Sequence, residues 1–274
     1  PQTLYLFGKL TLMNEMENVI QIVSSLIPNV GQIDEIEYLP GGYNNDNFRV
    51  TIKDEIFVVR VVRDPRPRPF EKIYVSLSVA PELIALDTAN GHMITRWIEG
   101  NLLTTTTLSP IEGAHYLRDL HNAIPSSITR YDVIEQISHY FDSAGQVGKE
   151  QPWLERIRWQ EREIRGCHND LNPWNIICTE NGMRTLDWEW AGDNDPLFDV
   201  IGFCYGAHYA DAEFFLCAET YLGQRVSEET LRKTQAIFQL REHAWAIAQI
   251  SAGNNHDGII KQRDRSIANV EQLL

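Results

Sequence analysis

Residues 168–187 read HNDLNPWNIICTENGMRTLD, and the rest of the chain is understood outward from this stretch. Its second half holds Asn181-Gly182, the strongest short hairpin signal, between the strand-like runs Trp174–Cys178 and Met183–Asp187. A turn at Asn181-Gly182 pairs Glu180 with Met183. Counting outward then sets Asn175 opposite Trp188, one residue from Asp187. An amide oxygen and a carboxylate share one end of such a hairpin, and both are hard oxygen donors of the kind Mg²⁺ takes. Asp170 lies just upstream, on the loop entering the first strand. One carboxylate for an attacking hydroxyl, beside an Asn/Asp metal clamp, is the set of parts that phosphoryl transfer needs.

Toward the N-terminus the pattern is strand-rich. Residues 14–27 place Val19, Ile20, Val23 and Ile27 at helical spacing behind a cap at Asn14. Strands are expected at Ile33–Leu39, Phe48–Ile52 and Glu55–Val62, with Lys53-Asp54 as the turn of a hairpin. A short helix over 71–79 follows, then Leu83–Leu86 and His92–Ile98 around Ala89-Asn90-Gly91. After Gly100 the texture turns helical. Ser109-Pro110-Ile111-Glu112 opens a helix with a capping box and proline at its first position. Further helices are expected at 131–142, 152–164, 209–222, 227–251 and 262–273. The expectation is an α+β protein of two lobes, a small antiparallel-sheet N-lobe over 1–98 and a larger, mostly helical C-lobe over 99–274.

Bulk composition narrows the function classes. With 43% hydrophobic residues the chain can bury a substantial core. A formal net charge of −14 excludes the basic footprint of a nucleic-acid binder and suits a cationic small molecule, or serves solubility alone. Cys167, Cys178, Cys204 and Cys217 lack the C-x-x-C spacing of zinc and redox motifs and read as buried thiols. No run of about 20 apolar residues marks a membrane span, and residues 1–10 do not read as a secretory signal, so a cytoplasmic protein is expected.

The run H-N-D-x-x-x-x-N, followed by L-D-W-E-W-A-G-D-N-D-P-L-F-D at 186–199, resembles the catalytic and metal-binding segments of choline/ethanolamine kinases. These kinases fall within the broader group that includes aminoglycoside phosphotransferases and thiamine kinases. Leu39–Phe48 resembles the phosphate loop of that family, Phe57–Val61 the strand carrying its basic ATP contact, and Met93–Gly100 its hinge. The resemblance runs from about residue 35 to 250 in the expected order. It implies a protein kinase-like fold, ATP and Mg²⁺ as cofactors, and a small alcohol as acceptor. Carried over by position, Asp170 orients or deprotonates the acceptor hydroxyl, while Asn175 and Asp187 hold magnesium. Gly41, Gly42, Asn44, Asn45 and Asn47 approach the phosphates, Arg60 supplies the basic contact, and Thr95, Arg96, Trp97 and Ile98 face adenine. His168 and Asp199 brace the loop.

The same resemblance places a cationic head group against aromatic rings. Asp170, Asn172, Trp190, Tyr205 and Trp245 are the candidate substrate contacts, with Trp174 and Trp188 expected to pack. Two positions depart from the animal-type choline kinase pattern: Ala248 replaces a further tryptophan and Gly206 replaces an acidic residue. Choline is the first candidate acceptor. Ethanolamine, thiamine and other small alcohols stay open, as does a kinase-like protein that binds nucleotide without turnover. Between Arg60 and Pro81 the family's longer helix is abbreviated, which leaves Glu71 as the available partner for Arg60.

Overall fold

A computed structural model describes residues 16–41 and 45–274. Gly42 and Asn44 of the expected phosphate loop, and the expected cap at Asn14, lie outside the described residues. The chain divides into two compact units. One contains the described residues up to Gly100 together with Thr179–Glu189; the other contains Asn101–Cys178 and Trp190–Leu274.

The first unit is built on an antiparallel sheet in the order β1-β2-β3-β5-β4, formed by β1 (Ile33–Leu39), β2 (Asn45–Ile52), β3 (Glu55–Val62), β4 (Leu83–Leu86) and β5 (Met93–Arg96). Lys53 and Asp54 join β2 to β3 with φ of 50° and 66°, the doubly left-handed turn whose twist matches a hairpin. Helix α1 (residues 16–26) covers one face, where Val19, Ile22 and Val23 pack on Phe48, Val50, Phe57, Val59 and Ile94. Strand alternation puts Arg60 on the opposite face from Phe57, Val59 and Val61. Helix α2 (Glu71–Val75) is shorter than the expected 71–79. The Ser76 hydroxyl donates back to the Lys72 carbonyl, and the chain then turns through Leu77 toward Pro81.

The second unit is mainly helical: α3 (Pro110–Ala123), α4 (Val133–Ser143), α5 (Gln151–Ile157), α6 (Leu197–Gly206), α7 (Asp211–Leu222), α8 (Glu228–Ser251) and α9 (Asp257–Leu273). Ser109 and Glu112 form the expected capping box. Helix α5 ends seven residues before the expected 164, because Arg158 turns into the left-handed region at φ 48°. Helix α9 starts ahead of the expected 262, capped by His256, whose Nδ1 accepts from the Gly258 amide. Helix α6 was not expected at all. Its sequence, LFDVIGFCYG, is buried almost all round and so shows no amphipathic period to read. Short strands β6 (Asn101–Leu102), β7 (Arg165–Cys167), β8 (Ile176–Thr179) and β10 (Gly192–Asn194) frame the segment at 168–175, with β6 paired to β8 and β7 to β10. No helix among the described residues is long and apolar enough to cross a membrane.

Candidate active site

In the second unit the segment His168–Asn175 is held by hydrogen bonds among its own polar groups and to Asp199 of α6 and Arg241 of α8. Asp199, buried on α6, accepts from the backbone amides of His168 and Asn169, both at 2.7 Å, and from His121 Nε2 at 2.9 Å. Burial opposes its charge, yet His121 and His168 hold its carboxyl below the ordinary carboxylate range. His121 Nδ1 meets the Tyr221 hydroxyl at 2.7 Å. Cys167 lies close to His121 and Asp199, a cluster with the donor types of a metal site. Both imidazole nitrogens and both carboxylate oxygens are already engaged, so the cluster acts as a brace.

Asn169 occupies the left-handed region at φ 66°, which asparagine tolerates better than most residues. Its side chain donates to the carbonyls of Trp190 and Gly192 and accepts from Asn194. The turn this produces presents Asp170, whose side chain is 29% exposed while its neighbours are buried. His168 Nδ1 accepts from the Asp170 amide. Asn172, expected to touch substrate, instead accepts from the Trp174 amide and donates to the Asp170 carbonyl. It caps the turn Pro173–Asn175. Asn175 Nδ2 donates to the Asp170 carbonyl at 2.9 Å and approaches its Oδ2 at 3.4 Å. Among the described residues no hydrogen bond reaches Asn175 Oδ1. Trp174, expected to pack, is 67% exposed.

Helix α6 carries Gly202 and Gly206 on the face against this loop. A Cβ on Gly202 would come within 3.0 Å of the Leu171 carbonyl, and one on Gly206 would collide with the Pro173 ring. The glycine that replaces the acidic residue of the related pattern therefore has a packing reason. Replacing Gly206 by Ala should destabilise the protein by about 1–3 kcal/mol through overpacking and lower turnover as well. Urea denaturation and initial rates check both effects.

The aromatic expectations divide. The Trp190 ring lies 6.3 Å from that of Tyr131 and 6.4 Å from that of Tyr140, both edge-on. Tyr205 stacks on Phe238 at 5.7 Å and meets Phe214 at 4.9 Å, so its ring is committed to packing among α6, α7 and α8. Burial pushes its phenol up to about 12. Trp245 is half-buried on α8, on the same face as Glu242 by i,i+3 spacing.

Sequence reasoning missed Arg241 and Glu242. Arg241 is buried on α8, with NH2 2.9 Å from the Asn169 carbonyl and NH1 3.4 Å from Asp170 Oδ1 and 2.8 Å from Glu242 Oε1. Burial disfavours its charge, but Glu242 and the surrounding acids hold its pKa above the usual value. The available signal was a charged residue within the otherwise apolar stripe Ile237, Arg241, Ala244 and Ala248. Tyr131 and Tyr140 carried no comparable signal.

In the first unit, Arg60 pairs with Glu71 at 2.7 Å and 2.9 Å and donates to the Gly91 carbonyl. Asp187 Oδ1 is 4.0 Å from Arg60 NH1. Arg68 joins Glu189 at 2.6 Å and lies 3.9 Å from Glu71. These residues form an alternating chain of two arginines and three carboxylates. Burial works against the Arg60 charge, while Glu71, Asp187 and Glu189 raise its pKa overall. Removing one partner of a buried pair strands the other. Glu71→Ala should therefore cost about 3–5 kcal/mol, measured by urea denaturation against the parent protein.

The remaining expectations in this unit are sharpened. Gly41 follows β1 with φ 125°, whereas Asn45 and Asn47 already belong to β2, Asn47 opposite Arg60, rather than to a loop. Thr95 and Arg96 close β5, and Arg96 is an exposed ion-pair partner of Glu82 and Glu55. The Trp97 amide is bonded to the Ile56 carbonyl. Ile98 is the first hinge residue with no backbone hydrogen bond among the described residues. Strand β8 ends at Thr179 and β9 (Gly182–Thr185) begins at Gly182, so the turn residues are Glu180 and Asn181. The turn lies one position earlier than expected, and the count that set Asn175 opposite Trp188 loses its starting point. Asp187 itself sits at φ 57°, followed by the buried Trp188, whose Nε1 donates to the Thr185 carbonyl.

Comparison with known proteins gives a consistent picture. Residues 129–236 match the profile of the phosphotransferase enzyme family. Protein LicA of Haemophilus influenzae is 27% identical over 213 residues, covering 67% of this chain and 62% of that protein. The chain thus spans less than two thirds of that relative's length. An Escherichia coli thiamine kinase is 26% identical over 192 residues, covering 66% of this chain and 68% of its own. The crystal structure of choline kinase LicA from Streptococcus pneumoniae superposes with a TM-score of 0.77 at 19% identity, covering 94% of this chain and 99% of that one. This last likeness establishes a kinase-like α+β fold. Beside it, the match across residues 129–236 makes that segment similar to the phosphotransferase enzyme family.

Proposed function

We propose that this protein transfers the γ-phosphoryl group of ATP to the hydroxyl of a small cationic alcohol, with choline as the first candidate. The observation that carries the reading is Asp170: a partly exposed carboxylate on a loop otherwise immobilised by Asp199, Asn169 and Arg241. A preorganised carboxylate of this kind can take the proton of an attacking hydroxyl without first reorganising. The other residues have distinct duties. Arg60, braced by Glu71, presents its guanidinium to phosphate oxygens, and the backbone around Gly41 gives the phosphates close approach. Ile98, whose amide has no hydrogen bond among the described residues, is the proposed adenine contact at the hinge.

Magnesium is the proposed metal: an amide oxygen such as that of Asn175 and a carboxylate such as that of Asp187 are hard oxygen ligands of the kind it takes. When bound, that ion would neutralise charge on the transferring phosphates.

The cationic acceptor is supported from two directions. Trp190, Tyr131 and Tyr140 cluster their rings, and each ring facing a cation contributes about 0.5–2 kcal/mol. The names of the relatives point to choline and thiamine, and both of these molecules carry a fixed positive charge and a primary hydroxyl. Thiamine is accordingly the second reading. A coupled ADP-release assay with choline, ethanolamine, thiamine and an aminoglycoside separates them. Choline should give the highest kcat/KM; a strong thiamine rate with choline silent transfers the assignment to thiamine. Mg-ATP binding with no turnover on any acceptor removes the kinase reading.

A further inference from the structure

We infer that Arg241 is a positioning residue that fixes the Asp170 carboxylate and the carbonyl preceding it, so that turnover depends on a guanidinium at this place. The inference rests on the role given to Asp170 above. One planar fork reaches three acceptors: the Asn169 carbonyl at 2.9 Å, Asp170 Oδ1 at 3.4 Å and Glu242 Oε1 at 2.8 Å. Its flat faces are covered, with Cζ 5.4 Å from the Phe198 ring centroid and 5.3 Å from that of Phe238. The fork is held in turn, because Gln262 of α9 donates to Glu242 Oε2 at 2.6 Å.

Helix packing alone does not call for this residue. A buried guanidinium loses its hydration, and here its Nε finds no hydrogen-bond partner among the described residues. An aliphatic side chain would fill the space between two phenyl rings without that cost. What only arginine supplies is a rigid pair of N–H edges that sets one carbonyl and one carboxylate together. The carbonyl belongs to Asn169, whose left-handed backbone aims the next residue, and that residue is Asp170. Arg241 thereby restrains both the backbone entering Asp170 and its side chain.

Three variants assayed with choline test this: Arg241→Lys, Arg241→Met and Arg241→Ala. Lys and Met should stay folded with the ATP KM within threefold of the parent, while kcat falls at least tenfold. In Arg241→Ala, guanidinium ion at non-denaturing concentration should recover a measurable part of kcat, and sodium chloride at equal ionic strength should not. A merely structural residue would not be rescued selectively in this way. Turnover of the Met variant within twofold of the parent overturns the inference, as does an Ala variant indifferent to guanidinium. Should the Ala variant not fold, Arg241→Lys decides by the same twofold criterion. A crystal structure of Arg241→Met supplies a readout independent of activity: Asp170 should leave its parental rotamer, and an unmoved Asp170 and Asn169 carbonyl overturn the inference. An Asp170→Asn protein with full turnover would instead sink the role of Asp170 itself, which keeps the two failures apart.

Discussion

Replacing Asp170 by Asn should lower kcat by about 10²–10⁴-fold while leaving the ATP KM and the melting temperature close to those of the parent. The substitution keeps size and hydrogen-bonding shape but removes the proton acceptor. The loop should survive it, because the anchors lie elsewhere: Asp199 on the amides of residues 168 and 169, and Asn169 on the carbonyls of residues 190 and 192. Arg241 also retains Glu242 and the Asn169 carbonyl as partners. Loss confined to kcat therefore identifies a group needed after binding. Steady-state kinetics with both substrates varied, beside a thermal melt, check it. Near-parental kcat would remove Asp170 from the chemistry.

The second large effect is expected at Asp187. Asp187→Asn should lower turnover by about 10²–10³-fold and move the Mg²⁺ requirement to higher concentration, because the proposed anionic ligand is exchanged for a neutral amide. It also takes a negative charge from beside Arg60, 4.0 Å away, so the ATP KM is free to fall as kcat collapses. Titrating Mg²⁺ at saturating ATP separates the two consequences. An unchanged Mg²⁺ dependence would exclude Asp187 as a ligand. Glu71→Ala, by contrast, should show chiefly as lost stability, since it leaves two buried arginines short of an anion.

How much of this was legible in the sequence follows the physics of each element. Strands β1, β3 and β4 were readable to the residue, because they alternate or run apolar between strong turn signals such as Lys53-Asp54. Helix α8 was readable as a long helix over 227–251, one residue from its observed start. Helix α6 was not, because burial on every side erases the period, and its glycines suggest a turn until Leu171 and Pro173 are seen against them. At the site, motif spacing selected Asp170, Asn175 and Asp187. It did not tell where each side chain points. Asn172 spends its amide on its own loop, Tyr205 stacks into helix packing, and Trp174 faces solvent. Arg241 comes from a helix 71 residues after Asp170, and no local pattern announces that a charge in an apolar stripe will end beside it.

The central claim is phosphoryl transfer to an alcohol by way of Asp170. Its most direct test is to incubate the protein with [γ-³²P]ATP, Mg²⁺ and choline and identify the labelled product, with Asp170→Asn run in parallel. The account predicts label in phosphocholine, formed in step with ADP and reduced at least about 10²-fold in the variant. Label that appears only as inorganic phosphate, or equally in both proteins, would contradict it.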